Sequence, residues 1–96
     1  MSYIQLGNKL YKVEKSKKKY KKYDVYILTN KNKLKYLLSY GDNRYQHFYD
    51  YLKKWSHLNH NNEERRKNYR RRHSAMSGKN IYNPSKAAFW SYWFLW

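Results

Sequence analysis

The stretch Tyr23-Asp24-Val25-Tyr26-Ile27-Leu28-Thr29-Asn30-Lys31-Asn32-Lys33-Leu34-Lys35-Tyr36-Leu37-Leu38-Ser39-Tyr40-Gly41-Asp42 decides the fold. Tyr23, Val25 and Ile27 fall on one face of an extended chain and Asp24, Tyr26 and Leu28 on the other, with the β-branched and aromatic residues that suit a pleated, half-buried surface. Asn30-Lys31-Asn32 turns the chain. Leu34, Tyr36, Leu38 and Tyr40 then alternate with Lys33, Lys35, Leu37 and Ser39, so a second antiparallel strand returns and stops at Gly41. Past Asp42 the period changes. Tyr45, Phe48, Tyr49, Leu52 and Trp55 recur at helical spacing, which predicts a helix from Asn43 to Ser56, capped by Asp42, with its aromatic stripe packed on the sheet. This switch of period makes the chain α+β: a small antiparallel β-meander followed by two to three short helices.

Outward from that stretch, Gly7-Asn8 separates Tyr3-Ile4-Gln5-Leu6 from Leu10-Tyr11-Lys12-Val13 and predicts a first hairpin. Between the hairpins, Lys15-Ser16-Lys17-Lys18-Lys19-Tyr20-Lys21-Lys22 carries like charges too dense for a packed element and reads as an exposed loop. Asn62 can cap a helix from Glu63 to His73, with Glu63 and Glu64 in its first turn and Arg70, Arg71 and Arg72 in its last, both placements complementing the helix dipole. A glycine-containing loop, Met76 to Asn80, leads to Asn83-Pro84, which opens a final helix from Ser85 to Trp96. The expectation is one domain over 1–96, strands to residue 41 and helices beyond it.

Of the 96 residues, 22 are Lys or Arg and 6 are Asp or Glu, a formal charge of +16. Charges confined to a globule of roughly 12 to 13 Å radius of gyration repel strongly and call for an anionic partner. An aromatic content of 21% argues that the chain folds all the same. The absence of cysteine excludes disulfides, thiolate metal sites and thiol catalysis. Met1 to Leu10 lacks the apolar run of a signal peptide, and no stretch reaches the ~20 apolar residues of a membrane span, so a soluble, intracellular product is expected.

The helix from Glu63 to His73 carries Arg65, Arg66, Lys67, Arg70, Arg71 and Arg72 around nearly its whole circumference, with Tyr69 as its apolar contact. A solvated face with Glu63 paired to Arg66 or Lys67 is the bland reading. The excess of cations favours an anion-binding surface, with Arg44 as an auxiliary, because forked guanidinium groups suit phosphates and carboxylates. In the final helix Phe89, Trp90, Trp93, Phe94 and Trp96 point to more than one side, so it is either the central core helix or an anchor in a partner protein. His57, His60 and His73 only loosely match a His-Asn-His endonuclease motif: His60 has no adjacent carboxylate, and the arginines would oppose a metal ion. No enzyme, metal, cofactor or small-molecule substrate is expected.

Gly41-Asp42-Asn43-Arg44-Tyr45, the run from His60 through Glu63-Glu64-Arg65-Arg66 and Tyr69 to Arg72-His73, and Ala88-Phe89-Trp90-Ser91-Tyr92-Trp93-Phe94-Leu95-Trp96 together resemble a family of small proteins of nucleocytoplasmic large DNA (giant) viruses. The match spans roughly Tyr23 to Trp96, with extra residues around Tyr49 to Asn59 and Ala87-Ala88 where that family has Ala-Gly. The resemblance implies a viral origin and no particular chemistry. The aromatic tail, more surface than a DNA-condensing peptide needs, favours a small basic structural component of a virus particle, a minor capsid or internal scaffold protein that bridges anionic partners through the Arg-rich helix and the Trp-rich anchor. It would be part of a larger assembly, in the virion and in the host cytoplasm during assembly, contacting acidic surfaces of other virion proteins. The alternative is a nucleic-acid-binding or genome-packaging protein that contacts DNA or RNA without sequence preference.

Overall fold

The computed structural model describes residues 2–96. Four strands, β1 (Ser2–Leu6), β2 (Lys9–Lys15), β3 (Tyr23–Leu28) and β4 (Leu34–Tyr40), form an antiparallel meander in the order β1-β2-β3-β4. Two α-helices follow, α1 (Glu63–Ser77) and α2 (Ala87–Phe94), with 3-10 turns at Ser56–Leu58 and Gly78–Tyr82. The architecture is α+β, as expected, although both α-helices lie beyond the segment where the change of period places the first.

Gly7 takes a φ of +62°, and Leu6 pairs with Lys9 across the Gly7-Asn8 loop. In the second hairpin Thr29 and Lys33 close the turn and Asn32 adopts positive φ, which asparagine tolerates better than most residues. β4 departs from simple alternation. Val25 pairs with Leu38 but Tyr26 pairs with Tyr36, so Leu37 is an extra, bulged residue. The bulge lets Leu37 and Leu38 both pack toward the core and puts Tyr36 beside Tyr26 and Ser39 on the outer face.

Tyr11, Val13, Tyr23, Val25 and Tyr40 form the inner face of the sheet, and Trp90 and Leu95 cover it. Trp90 is fully buried, edge-on to Tyr11 at 5.4 Å and stacked on Tyr40 at 6.0 Å, while its indole N–H donates to the Pro84 carbonyl at 2.8 Å. The helix that lies on the sheet is therefore α2, which covers Ala87–Phe94 rather than the whole of Ser85 to Trp96; Asn83 to Lys86 form a separate turn, in which the Ser85 amide donates to the Asn83 side chain and the Lys86 amide to the Asn83 carbonyl.

The expected helix from Asn43 to Ser56 does not form, and its aromatic stripe is not a helical face. The reason is where its backbone donors go. Phe48 and Tyr49 N–H groups donate to the Leu95 carbonyl and Tyr51 N–H to that of Phe94, filling acceptors left open at the end of α2. Leu52 and Trp55 N–H groups donate to the Asp50 carboxylate, and the Asp50 N–H donates to the Asn59 side chain. Short polar side chains that capture nearby amides compete directly with the helix. Asp42 caps only a turn, accepting from the Arg44 amide.

Two further expectations are revised. α1 runs a turn past His73, to Ser77, and stops at Gly78 with φ +54°; this places Arg70, Arg71 and Arg72 mid-helix, away from the carbonyl end they were expected to neutralise. Asn62 does cap its start, accepting from the Arg65 amide at 3.0 Å. Lys22, read as part of an exposed lysine loop, is buried at 2% exposure. Its main chain bonds Ser16, Gly41 and the Trp55 indole, drawing the side chain beneath the 41–46 loop.

Candidate nucleic-acid interface

Beneath that loop lies a buried polar network. Lys22 Nζ is 2.8 Å from His47 Nδ1, and His47 Nε2 is 2.6 Å from Asn59 Oδ1. The ammonium can only donate, so His47 Nδ1 accepts and Nε2–H donates to Asn59. Burial and the neighbouring Lys22 charge push the His47 pKa down to about 4 and keep the ring neutral. Burial lowers Lys22 to about 8, against the opposing pull of Asp50 and Asp42. Tyr23 donates to Asp50 Oδ2 at 2.5 Å, and its phenol is held well above its usual pKa, chiefly by burial. This network fixes the loop that faces α1.

α1 is fastened by three of its residues. Arg66 and Arg70 both donate through Nε to the main-chain oxygen of Trp96, at 2.9 and 3.0 Å. Arg66 also lies over Phe48 and 3.5 Å from Glu63, and Arg70 lies over Tyr92 and Trp93. Tyr69 is sandwiched between Trp96 at 4.1 Å and His73 at 3.9 Å, and burial pushes its pKa up to about 12. Arg44 is likewise engaged: it binds both Asp42 oxygens, holding that carboxyl at about 2, and stands over Tyr20. Of the seven cations expected to bind an anion, these three have structural partners inside the chain.

The other four, Arg65, Lys67, Arg71 and Arg72, are exposed. Arg65 bonds only the Gln46 side chain and Arg71 only Asn68 Oδ1, both neutral. Among the described residues, only Lys12, Arg44 and Arg66 of the 22 Lys and Arg side chains have an Asp or Glu carboxylate within 4.0 Å. The acidic residues are few, and two of them, Asp24 and Asp50, are buried against hydroxyl groups. The positive charge of the surface therefore stands largely uncompensated.

Of the C-terminal aromatics, Phe89, Trp90, Phe94 and Trp96 pack into or against the core, which is the core reading of that segment. Trp93 remains 39% exposed beside Tyr82 and donates its indole N–H to the Ile81 carbonyl. His57 lies in the first 3-10 turn, His60 sits between Phe48 and Trp96, and His73 stacks on Tyr69, so the three histidines share no site. No group of three or more His, Asp or Glu side chains among the described residues could hold a metal ion, and no helix there is long and apolar enough to cross a membrane.

Between the 41–46 loop and α1 runs a cleft that the sequence alone does not reveal. Its inner part, about 190 Å³, is lined by Lys22, Gly41, Asp42, Ser91 and Leu95 together with Tyr45, Gln46, Tyr69 and Trp96. The last four continue into an outer part of about 350 Å³ bordered by Arg65, Asn68 and Arg72. Its α1 side is one stripe of the helix, at spacing i, i+3, i+4, i+7. No family model matches the chain, and neither a curated protein nor a solved structure matches it.

Proposed function

We propose that the protein binds nucleic acid without sequence preference, through the exposed face of α1. The observation that carries this reading is that Arg65, Lys67, Arg71 and Arg72 stand exposed with no carboxylate partner on a helix anchored by Arg66, Tyr69 and Arg70. Anchoring removes much of the ordering cost of presenting four cations together. Phosphate contacts of this kind position a strand and carry no base information. An equal change of net charge placed elsewhere tests the face. Arg71→Glu with Arg72→Glu is expected to lower duplex affinity far more than Lys31→Glu with Lys33→Glu in the β3–β4 turn, measured at one salt concentration by fluorescence anisotropy. Equal losses from both pairs would mean that net charge alone, and no particular surface, governs binding.

A second reading, a structural component of a virus particle, keeps one supporting observation: Met76, Tyr82 and Trp93 leave apolar surface exposed at the far end of α1 and beside α2. On that reading Tyr82→Ser reduces incorporation into particles while nucleic-acid affinity is retained. Normal incorporation of that variant argues against it.

A further inference from the structure

We propose that the cleft between the 41–46 loop and α1 takes an unpaired base of single-stranded nucleic acid, stacked on Tyr45, with Arg65 and Arg72 on the flanking phosphates. This rests on the nucleic-acid reading of α1 and adds to it a preference for strands whose bases are free. Tyr45 is 63% exposed, the largest exposure of any tyrosine lining this cleft, and Arg44, itself tied to Asp42, lies 5.5 Å from its ring centroid. Both faces of Tyr69 are already covered by Trp96 and His73, so Tyr69 and Trp96 supply an apolar wall and Tyr45 the platform. Arg65 and Arg72 are two helical turns apart, about 10 Å along the axis, and bracket the outer cleft. Asp42, the one carboxylate lining either part, is held by Arg44 and presents little free negative charge to a phosphate.

An aromatic platform beside cations is the chemistry by which single strands are held, because every base has a stackable face while a duplex keeps its bases inside. An acidic peptide would satisfy the arginines and leave the platform idle. The charge complementarity and the exposed ring together favour the polynucleotide.

The test compares a labelled oligothymidine with a duplex of the same length by fluorescence anisotropy, using the wild-type chain, Tyr45→Ala and Tyr45→Phe, with circular dichroism to verify folding. Tyr45→Ala is expected to weaken oligothymidine binding about five- to a hundredfold, as loss of one stacked base does. Duplex affinity is expected to hold, and Tyr45→Phe to bind oligothymidine like the wild type. An unchanged oligothymidine affinity in Tyr45→Ala overturns the cleft proposal, as does an equal loss for duplex or for polyglutamate, which has no base to stack. If duplex binding persists in those cases, the reading of α1 stands; if the wild type binds neither nucleic acid, both fail.

Discussion

Replacing Asp50 by Asn is expected to destabilise the fold by about 2 to 5 kcal/mol. Asp50 is fully buried and accepts three hydrogen bonds: from the Tyr23 hydroxyl at 2.5 Å, the Trp55 amide at 2.8 Å and the Leu52 amide at 3.0 Å. Asparagine keeps the shape but has one acceptor oxygen, so its amide nitrogen must face donors whichever way it turns. The Tyr23 hydroxyl already accepts from the Lys54 amide, which leaves its proton directed at Asp50. One or two buried donors lose their acceptor, at roughly 1 to 3 kcal/mol each. For a domain of this size the melting temperature should fall by roughly 10 to 30 °C. Urea unfolding followed by circular dichroism at pH 7 measures the loss. Asp24→Asn is the matched control, since Asp24 accepts from Ser39 alone and should lose only about 1 kcal/mol. An Asp50→Asn variant no less stable than Asp24→Asn would refute the claim that Asp50 organises the 43–56 segment.

Acidification from about pH 6.5 towards 4 should remove roughly 3 kcal/mol of stability, because the unfolded chain protonates His47 in that range while the folded chain keeps it neutral. His47→Gln should flatten that part of the pH profile, and Lys22→Met should raise the His47 titration midpoint followed by NMR, since the neighbouring cation is gone. Gly41→Ala should lose roughly 2 to 4 kcal/mol, because φ is +76° and the added carbon meets Lys22 Cδ at 2.8 Å and Leu95 Cδ1 at 3.0 Å. Gly7→Ala shares the positive φ but has open space around it and should lose only about 1 to 2 kcal/mol; chemical denaturation separates the two. Trp90→Ala should lose about 3 to 5 kcal/mol, and deleting Phe89 to Trp96 should abolish cooperative unfolding.

The strands and the Asn62-capped helix are legible in the sequence because their determinants are local: alternation, turn residues and a side chain that caps its own helix. The 43–56 segment is not. Its apolar spacing matches a helix, but periodicity says nothing of acceptors waiting elsewhere, and the decisive ones belong to Phe94, Leu95 and Asn59. The Leu37 bulge is hidden for a similar reason, since both registers of Leu34 to Tyr40 place apolar residues on either face. At the candidate site the excess of charge is plain from composition. Which arginines remain available is not, because the oxygen that engages Arg66 and Arg70 lies 30 and 26 residues away. Lys22 and Tyr45 carry no signal in the chain that sets them apart from neighbouring lysines and tyrosines.

The most direct test of the account is the salt dependence of duplex binding by the wild-type chain and by a variant with Arg65, Lys67, Arg71 and Arg72 all changed to Gln. The wild type should show log affinity falling linearly with log salt, at a slope of about −0.9 for each phosphate neutralised. The quadruple variant, folded as judged by circular dichroism, should flatten that slope by up to roughly 3.6, the contribution of four phosphate contacts. Identical slopes for the two proteins, or no duplex binding by the wild type at low salt, would contradict the assignment of α1 as a nucleic-acid-binding surface.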